Sequence, residues 1–466
     1  MTDSTLKRIH CKVIRLNNGW ATDQVVEVGT NGLITGIKAV NGAPVDRILE
    51  GPVLAGMPNL HSHAHQRVLA GLTEVHMPGQ DHFWGWRELM YRVNARITPD
   101  HLEAIATQLY IELLQQGYTS VAEFHYLHHD SRGHHYENIA EMSQRLCAAA
   151  QKAGINLTLL PVLYNRGGFD GQPLEGIQRR FCNTLEQYLH LVEVIKETLL
   201  DTSSNRLGLA VHSLRAVSAK ELRELSAIAD KYYPQAPFHL HVAEQTAEVE
   251  QCLAAYHARP VEWLCGEHDL GPRWCLIHAT HMTAAEIRAV AHSQAIVGLC
   301  PTTEANLGDG LFPLPAFLNG GGSFGIGSDS QVCASPAREL QLLEYGQRLA
   351  ERRRAVVVDE PERHVGAALF DRAIRGGSRA CGQQCHGISV GAAADLIELD
   401  PQNLALASRS PDHALDSWIF ASTQSCIRTV ITSGRQVVTD GRHDLQEAAA
   451  DRFRGVLQEL DPAGQI

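Results

Sequence analysis

From Val53 to about residue 350, short apolar runs alternate with helical stretches, and the alternation completes eight cycles. The strand-like runs lie at Val53–Met57, leading into His61, and at Thr119–Phe124, Leu157–Leu163 and Leu207–Val211. They continue at Phe238–Val242, Trp274–Ile277, Ile296–Leu299 and Phe324–Gly327. Helix signals fill the intervals. Thr98-Pro99-Asp100 offers an N-cap and a first-turn proline, and Leu102, Ile105, Ala106, Leu109 and Leu113 then keep one apolar face until Gly117. Further helices end near Gly154 and span about 183–200. Ser218-x-x-Glu221 and Thr283-x-x-Glu286 are capping boxes. Gly320-Gly321-Gly322-Ser323 does not match a phosphate loop and reads as a turn before the last strand. Eight strand–helix units in roughly 300 residues predict an α/β protein of the (β/α)8 TIM-barrel class.

The flanks have a different texture. Residues 9–39 alternate β-like runs with Asn-Gly turns at 17–18 and 31–32. Beyond helices at about 336–350 and 361–378, β-like runs return at Ala394–Asp400 and Thr429–Val438, and a helix follows at 444–459. Both ends are therefore expected to build one small β-sandwich-like domain, residues 1–55 with 381–466, beside a barrel of residues 56–380.

Charge and cysteine content exclude several roles. With 40 Lys and Arg against 52 Asp and Glu the net charge is −12, which argues against nucleic acid or anionic membrane as partner. A small anionic substrate stays compatible, because a local Arg cluster can override the global field. The 11 cysteines contain no Cys-x-x-Cys, the nearest pair being Cys381 and Cys385. They read as reduced thiols of a cytoplasmic protein. The first residues lack an apolar leader segment, and no apolar run reaches membrane-spanning length, so no membrane association is expected.

In such barrels chemistry sits at the C-terminal ends of the strands. His61 and His63 end the first; residues i and i+2 of a strand share a face, so two imidazoles aim at one point. Alone, among 25 histidines, this pair reads first as two half-exposed residues of an edge strand and only second as metal ligands. However, the fifth strand ends in His241 with Glu244 three residues on, the sixth in His278 and the eighth in Asp329. Together they form a metal-ligand and acid–base constellation. His65 is expected beyond reach on the following loop. His239, one layer deeper than His241, is expected to pack or support. The run His125, His128, His129, His134 and His135 is expected to be mostly solvated, a second metal there being the lesser reading.

These residues resemble the amidohydrolase superfamily, together with Gly391-Ala-Ala-Ala-Asp395-Leu and Ser433-Gly-Arg435 near the end. His241-x-x-Glu244 is similar to its deaminase branch. Two-metal members usually carry a bridging Lys after the fourth strand; here that segment is Ala210-Val211-His212-Ser213-Leu214-Arg215, without one. The resemblance implies one zinc per subunit (Fe2+ or Mn2+ being able to substitute), held by His61, His63, His241 and Asp329. More narrowly, Asn59–Arg67, Phe83-Trp84-Gly85-Trp86-Arg87, Glu123–Tyr126 and His212–Ser218 resemble the N-formimino-L-glutamate iminohydrolase family of histidine degradation.

That resemblance implies hydrolytic deimination of a small dicarboxylate amidine to N-formyl-L-glutamate and ammonia by a homodimer. Zinc would acidify a water. Asp329 and His278 would take or orient its proton, and Glu244 would protonate the departing nitrogen. Two substrate carboxylates call for planar cations, and Arg215 and Arg87 are the candidates. Gln66, Tyr126 and His212 are implied as hydrogen-bonding partners. Trp84 and Trp86 read equally as a lid or as packing. The rivals are a mononuclear deaminase acting on a purine, pyrimidine or triazine ring, a two-metal cyclic-amide hydrolase, and a non-catalytic barrel used for binding.

Overall fold

The apolar run at Val53–Met57 is divided between two sheets at Gly56. The structure, a computed structural model, describes residues 5–74, 83–199, 205–358 and 362–461. Strand Arg47–Ala55 belongs to an outer sheet, and the first barrel strand, Met57–Ser62, begins only after Gly56. The expected single strand from Val53 into His61 is thus two. The physical reason is contact: a Cβ on residue 56 would lie 2.1 Å from Thr119 Oγ1. Only glycine lets the chain pass from one sheet to the other at this point.

The barrel takes its strands in sequence order: Met57–Ser62, Tyr118–His125, Asn156–Leu163, Leu209–Ser213, Phe238–Val242, Trp274–His278, Ile296–Leu299 and Ser323–Ile326. All neighbouring pairs are parallel, and a bridge between Ser62 and Asp329 brings the last strand back to the first. Every residue of the second and third strands is buried, as a parallel sheet covered on both faces requires. The fourth strand differs from the expected Leu207–Val211. Arg206–Leu207 is a separate piece paired with the third strand, and the barrel strand restarts at Leu209. Gly208 marks the break, where a Cβ would sit 2.2 Å from Leu160 Cδ2.

The helix signals act where they stand. Thr98 caps helix Pro99–Gln116, and Gly117 ends it at φ 102°. Ser218 and Thr283 close capping boxes with Glu221 and Glu286 at the starts of helices Ala219–Tyr232 and Ala284–Ser293. Both chain ends meet in one eight-stranded sheet: Leu396–Leu399 pairs antiparallel with Arg47–Ala55, which pairs parallel with Arg8–Leu16. The β-sandwich-like unit expected from the termini takes this single-sheet form. All 11 cysteines are free thiols. Among the described residues no helix is long and apolar enough to cross a membrane.

Helix Val365–Ala380 seals the junction of first and last barrel strands at backbone-to-backbone distance. A Cβ at residue 376 would meet Phe324 O at 1.9 Å, and one at 325 would meet Gly377 N at 2.7 Å. Ala is a better helix former than Gly by about 0.5–1 kcal/mol, but overpacking against fixed backbone costs about 1–3 kcal/mol. Gly376→Ala is therefore expected to lower stability in urea unfolding. An unchanged or higher midpoint would show that this contact does not hold the barrel shut.

Candidate active site

The first barrel strand delivers His61, and the chain just past it delivers His63. His63 Nδ1 lies 2.9 Å from Phe124 O, and His241 Nδ1 lies 2.9 Å from His212 O. A carbonyl only accepts, so both Nδ1 atoms carry the proton and donate it. Their Nε2 atoms therefore present lone pairs. These converge on His61 Nε2, at 3.2 Å from His63 and 3.0 Å from His241. Asp329 Oδ1 joins at 3.5 Å from His61 Nε2 and 3.3 Å from His63 Nε2. Burial lowers the pKa of His63 and His241 and brings that of His61 to about 3, so the rings are neutral. A proton on His61 Nε2 could serve only one of its neighbours. One divalent cation satisfies all four, and three imidazoles with one carboxylate suit zinc. These four residues fit a metal on chemical grounds, with their ligand atoms within 4.8 Å of one another and all buried.

Around the knot stand the acid–base candidates. His278 Nε2 is 3.7 Å from Glu244 Oε1 and 3.7 Å from Asp329 Oδ2. Burial raises the Glu244 carboxyl above the usual carboxylate range, and Asp329 adds to this against His278 and Arg215. For His278, burial works to lower the pKa, but Glu244, Glu304 and Asp329 together carry it to about 10. Several of these side chains leave their strands through left-handed backbone: Ala243 at φ 51°, His278 at 68°, Ala279 at 48° and Asp329 at 44°. Non-glycine residues hold such angles only where surrounding structure imposes them.

All five expected substrate-binding residues line one cleft with His63, His241, Glu244, His278 and Asp329. Gln66 Nε2 donates to Tyr126 Oη at 2.9 Å, leaving the buried Gln66 Oε1 without a partner. Arg215 Nε is likewise buried without a hydrogen-bond partner. Arg87 stands over the Tyr91 ring at 5.4 Å, on helix Phe83–Asn94 rather than on the expected loop. His212 is kept neutral, its pKa lowered by burial and by the Arg215 charge. Trp86 lines the cleft; the Trp84 side chain lies outside the described residues.

The other histidines follow expectation only in part. His65 lies in the 3-10 helix Ala64–Leu69 rather than on a loop, buried and edge-on to Tyr126, and stands outside the four-residue knot as expected. His125, His128 and His129, expected to be solvated, are each 1% exposed. His128 Nε2 donates to Val162 O and His129 Nε2 to Cys182 O, so they tie the mouth loops together. Only His134 and His135 of that run are exposed. His239 packs below the site, its Nε2 donating to Ala380 O.

Three glutamates to which the sequence assigns no role hold the site. Glu123 accepts from Ser62 Oγ (2.7 Å), Ala64 N (2.6 Å) and Tyr110 Oη (3.2 Å), gripping the chain on either side of His63. Glu248 accepts from the backbone N–H groups of Ala243 and Glu244, fixing the turn that carries Glu244. Glu304 accepts from His278 Nδ1 at 3.2 Å and from Cys300 N at 2.9 Å, which presents His278 Nε2 to the cleft. The available signal for Glu304 was Cys300-Pro-Thr-Thr-Glu304 directly after the seventh strand, a proline-started helix with an acid in its first turn. Supporting carboxylates of this kind are worth about 10–100-fold when removed. Glu304→Leu should lower kcat by that order while KM changes little, and Glu304→Gln, which keeps an acceptor, should recover part of it. Equal loss in both variants, or a loss confined to KM, would contradict the orienting role.

The sequence profile of the Amidohydrolase family matches residues 53–437. A formimidoylglutamate deiminase of Pseudomonas aeruginosa is 47% identical over 445 residues, covering 96% of this chain and 97% of that protein. A 5'-deoxyadenosine deaminase of Methanothermobacter thermautotrophicus is 24% identical, over 88% of this chain and 90% of its own length. Among solved structures, an amidohydrolase from Brucella melitensis superposes with a TM-score of 0.92 at 45% identity, over 97% of this chain and 99% of that one. A zinc-bound adenosine deaminase from Xanthomonas campestris reaches 0.82 at 20% identity over 98% of both, a likeness of fold. With its profile match spanning the whole barrel and reaching strands Leu396–Leu399 and Ile427–Thr432 of the outer sheet, the chain belongs to the amidohydrolase family.

Proposed function

We propose that this protein hydrolyses N-formimino-L-glutamate to N-formyl-L-glutamate and ammonia, a step of histidine degradation. The observation that carries the reading is the composition of one cleft. Half-buried Arg215, with its buried Nε unpaired, and Arg87 supply two cations beside an acid–base pair and a cation-binding knot. A flexible dicarboxylate amidine matches that pattern, and the 47% identical deiminase supports it.

A divalent cation at His61, His63, His241 and Asp329, which we take to be one zinc, supplies a water whose pKa is lowered to about 7. The chain's own residues then divide the work. Arg215 and Arg87 pair with the two carboxylates, and Gln66 Oε1 accepts an N–H of the substrate. Asp329 Oδ2 takes the proton removed from the attacking water, and His278, protonated, donates from Nε2 to the oxygen as it adds. As oxygen adds to the formimino carbon, the C=N π pair moves onto the terminal nitrogen, which takes a proton from the Glu244 carboxyl, held toward its protonated form by burial. The proton left on the added oxygen then passes through the Glu244 carboxylate to the same nitrogen, the C–N bond breaks, and ammonia leaves. One water is consumed, and formyl product and ammonia result. We place the enzyme in the cytoplasm as a homodimer; free thiols throughout and the absence of a membrane-crossing helix among the described residues support the compartment.

Ammonia release from N-formimino-L-glutamate by the zinc-loaded protein, with guanine, cytosine and adenosine in parallel, tests the reading. Turnover of the formimino acid alone is expected. Glu244→Gln should lose roughly 10²–10⁴ of kcat while retaining metal and substrate binding. Arg215→Met should cost about 1.5–3 kcal/mol of substrate binding, roughly ten- to a hundredfold in KM. Turnover of a ring base instead would overturn the role of the arginines, and an active Glu244→Gln would overturn the proton transfer.

A further inference from the structure

A second group of potential ligands adjoins the four-residue knot. A ring nitrogen of His278, Cys300 Sγ and a carboxylate oxygen of Asp329 lie within 4.8 Å of one another, all on buried residues. They come from three adjacent strand ends: His278 closes Trp274–His278, Cys300 follows Ile296–Leu299, and Asp329 follows Ser323–Ile326. The Asp329 carboxylate is placed to bridge. Oδ1 faces His61 and His63 Nε2, whereas Oδ2 lies 3.7 Å from His278 Nε2. His278 and Asp329 line the cleft, so a cation entering by the substrate's route reaches them. Cys300 has no part in the proposed hydrolysis.

The donor set decides which cation belongs there. One sulfur, one imidazole and one carboxylate favour borderline or soft divalent ions, zinc and above all cadmium, over magnesium or calcium, which take oxygen ligands. The four-residue knot contains no sulfur, so the two positions differ in kind.

We infer that His278, Cys300 and Asp329 form an inhibitory site for a second cation of the zinc and cadmium class. As the cation binds, the Cys300 thiol and the protonated His278 ring each give a proton to solvent. The cation then occupies His278 and Asp329 Oδ2, the groups that orient the attacking water and take its proton, and hydrolysis stops with the first metal still in place. The inhibition, though not the binding, rests on the reaction proposed above.

The test titrates protein loaded with one zinc per chain with cadmium chloride. The thiolate-to-cadmium charge-transfer absorption in the ultraviolet should grow and saturate at one further equivalent. It should be missing from Cys300→Ala and Cys300→Ser, the other ten cysteines being common to all three proteins. Both variants should keep the first metal and basal turnover, and their half-inhibitory cadmium concentration should rise at least about tenfold. No thiolate absorption in the unmutated protein, or the same absorption in a Cys300 variant, would overturn the site. Equal inhibition of all three proteins would overturn its inhibitory role. The spectroscopic reading needs no substrate, so a wrong substrate assignment would leave it standing.

Discussion

Four electron-pair donors are forced to face one another inside this barrel, and much of the site exists to hold them there. His63 and His241 have spent their ring protons on main-chain carbonyls, so their remaining nitrogens can only accept. With His61 and Asp329 they make a buried cluster that repels itself unless a cation sits within it. The closure of the barrel creates this juxtaposition. His63 N donates to Asp329 O, and Asp329 N donates to His61 O, so the first and last strands are stitched at the ligands themselves. Gln331 extends the stitch by donating to Ser62 Oγ and Asp329 O.

Rigidity at the mouth comes from carboxylates that never face the cleft chemistry. Glu123 and Glu248 bind N–H or O–H groups flanking a functional residue, and Glu304 binds the His278 ring itself. Each converts a strand end into a fixed launching point. Burial raises the Glu123 carboxyl to about 7 against the pull of its three donors. Preorganisation of this kind is what electrostatic catalysis requires, because donors and acceptors aimed in advance cost no reorganisation during reaction.

Much of this was legible in the residues. The eight-fold alternation predicts the barrel because strand and helix periodicities differ, and the caps at Thr98, Ser218 and Thr283 mark helix starts by local hydrogen bonding alone. The ligands could be found because barrel chemistry collects at strand ends. What escaped was tertiary in origin. The division at Gly56 depends on Thr119, more than sixty positions away. The burial of His128 and His129 depends on Arg180, fully buried, whose carbonyl accepts from both their N–H groups and whose guanidinium ties His129 O, Asn94 O and Ile97 O together. The positive φ of His278 and Asp329 has no local signature, since neither residue is a glycine.

X-ray absorption at the zinc edge of protein carrying one zinc per chain tests the central claim most directly. A first shell of nitrogen and oxygen only, at about 2.0–2.2 Å, with the outer-shell scattering of three imidazoles, is the predicted result. A sulfur in that shell at about 2.3 Å, or fewer than two imidazoles, would contradict it and place the first cation elsewhere than among His61, His63, His241 and Asp329.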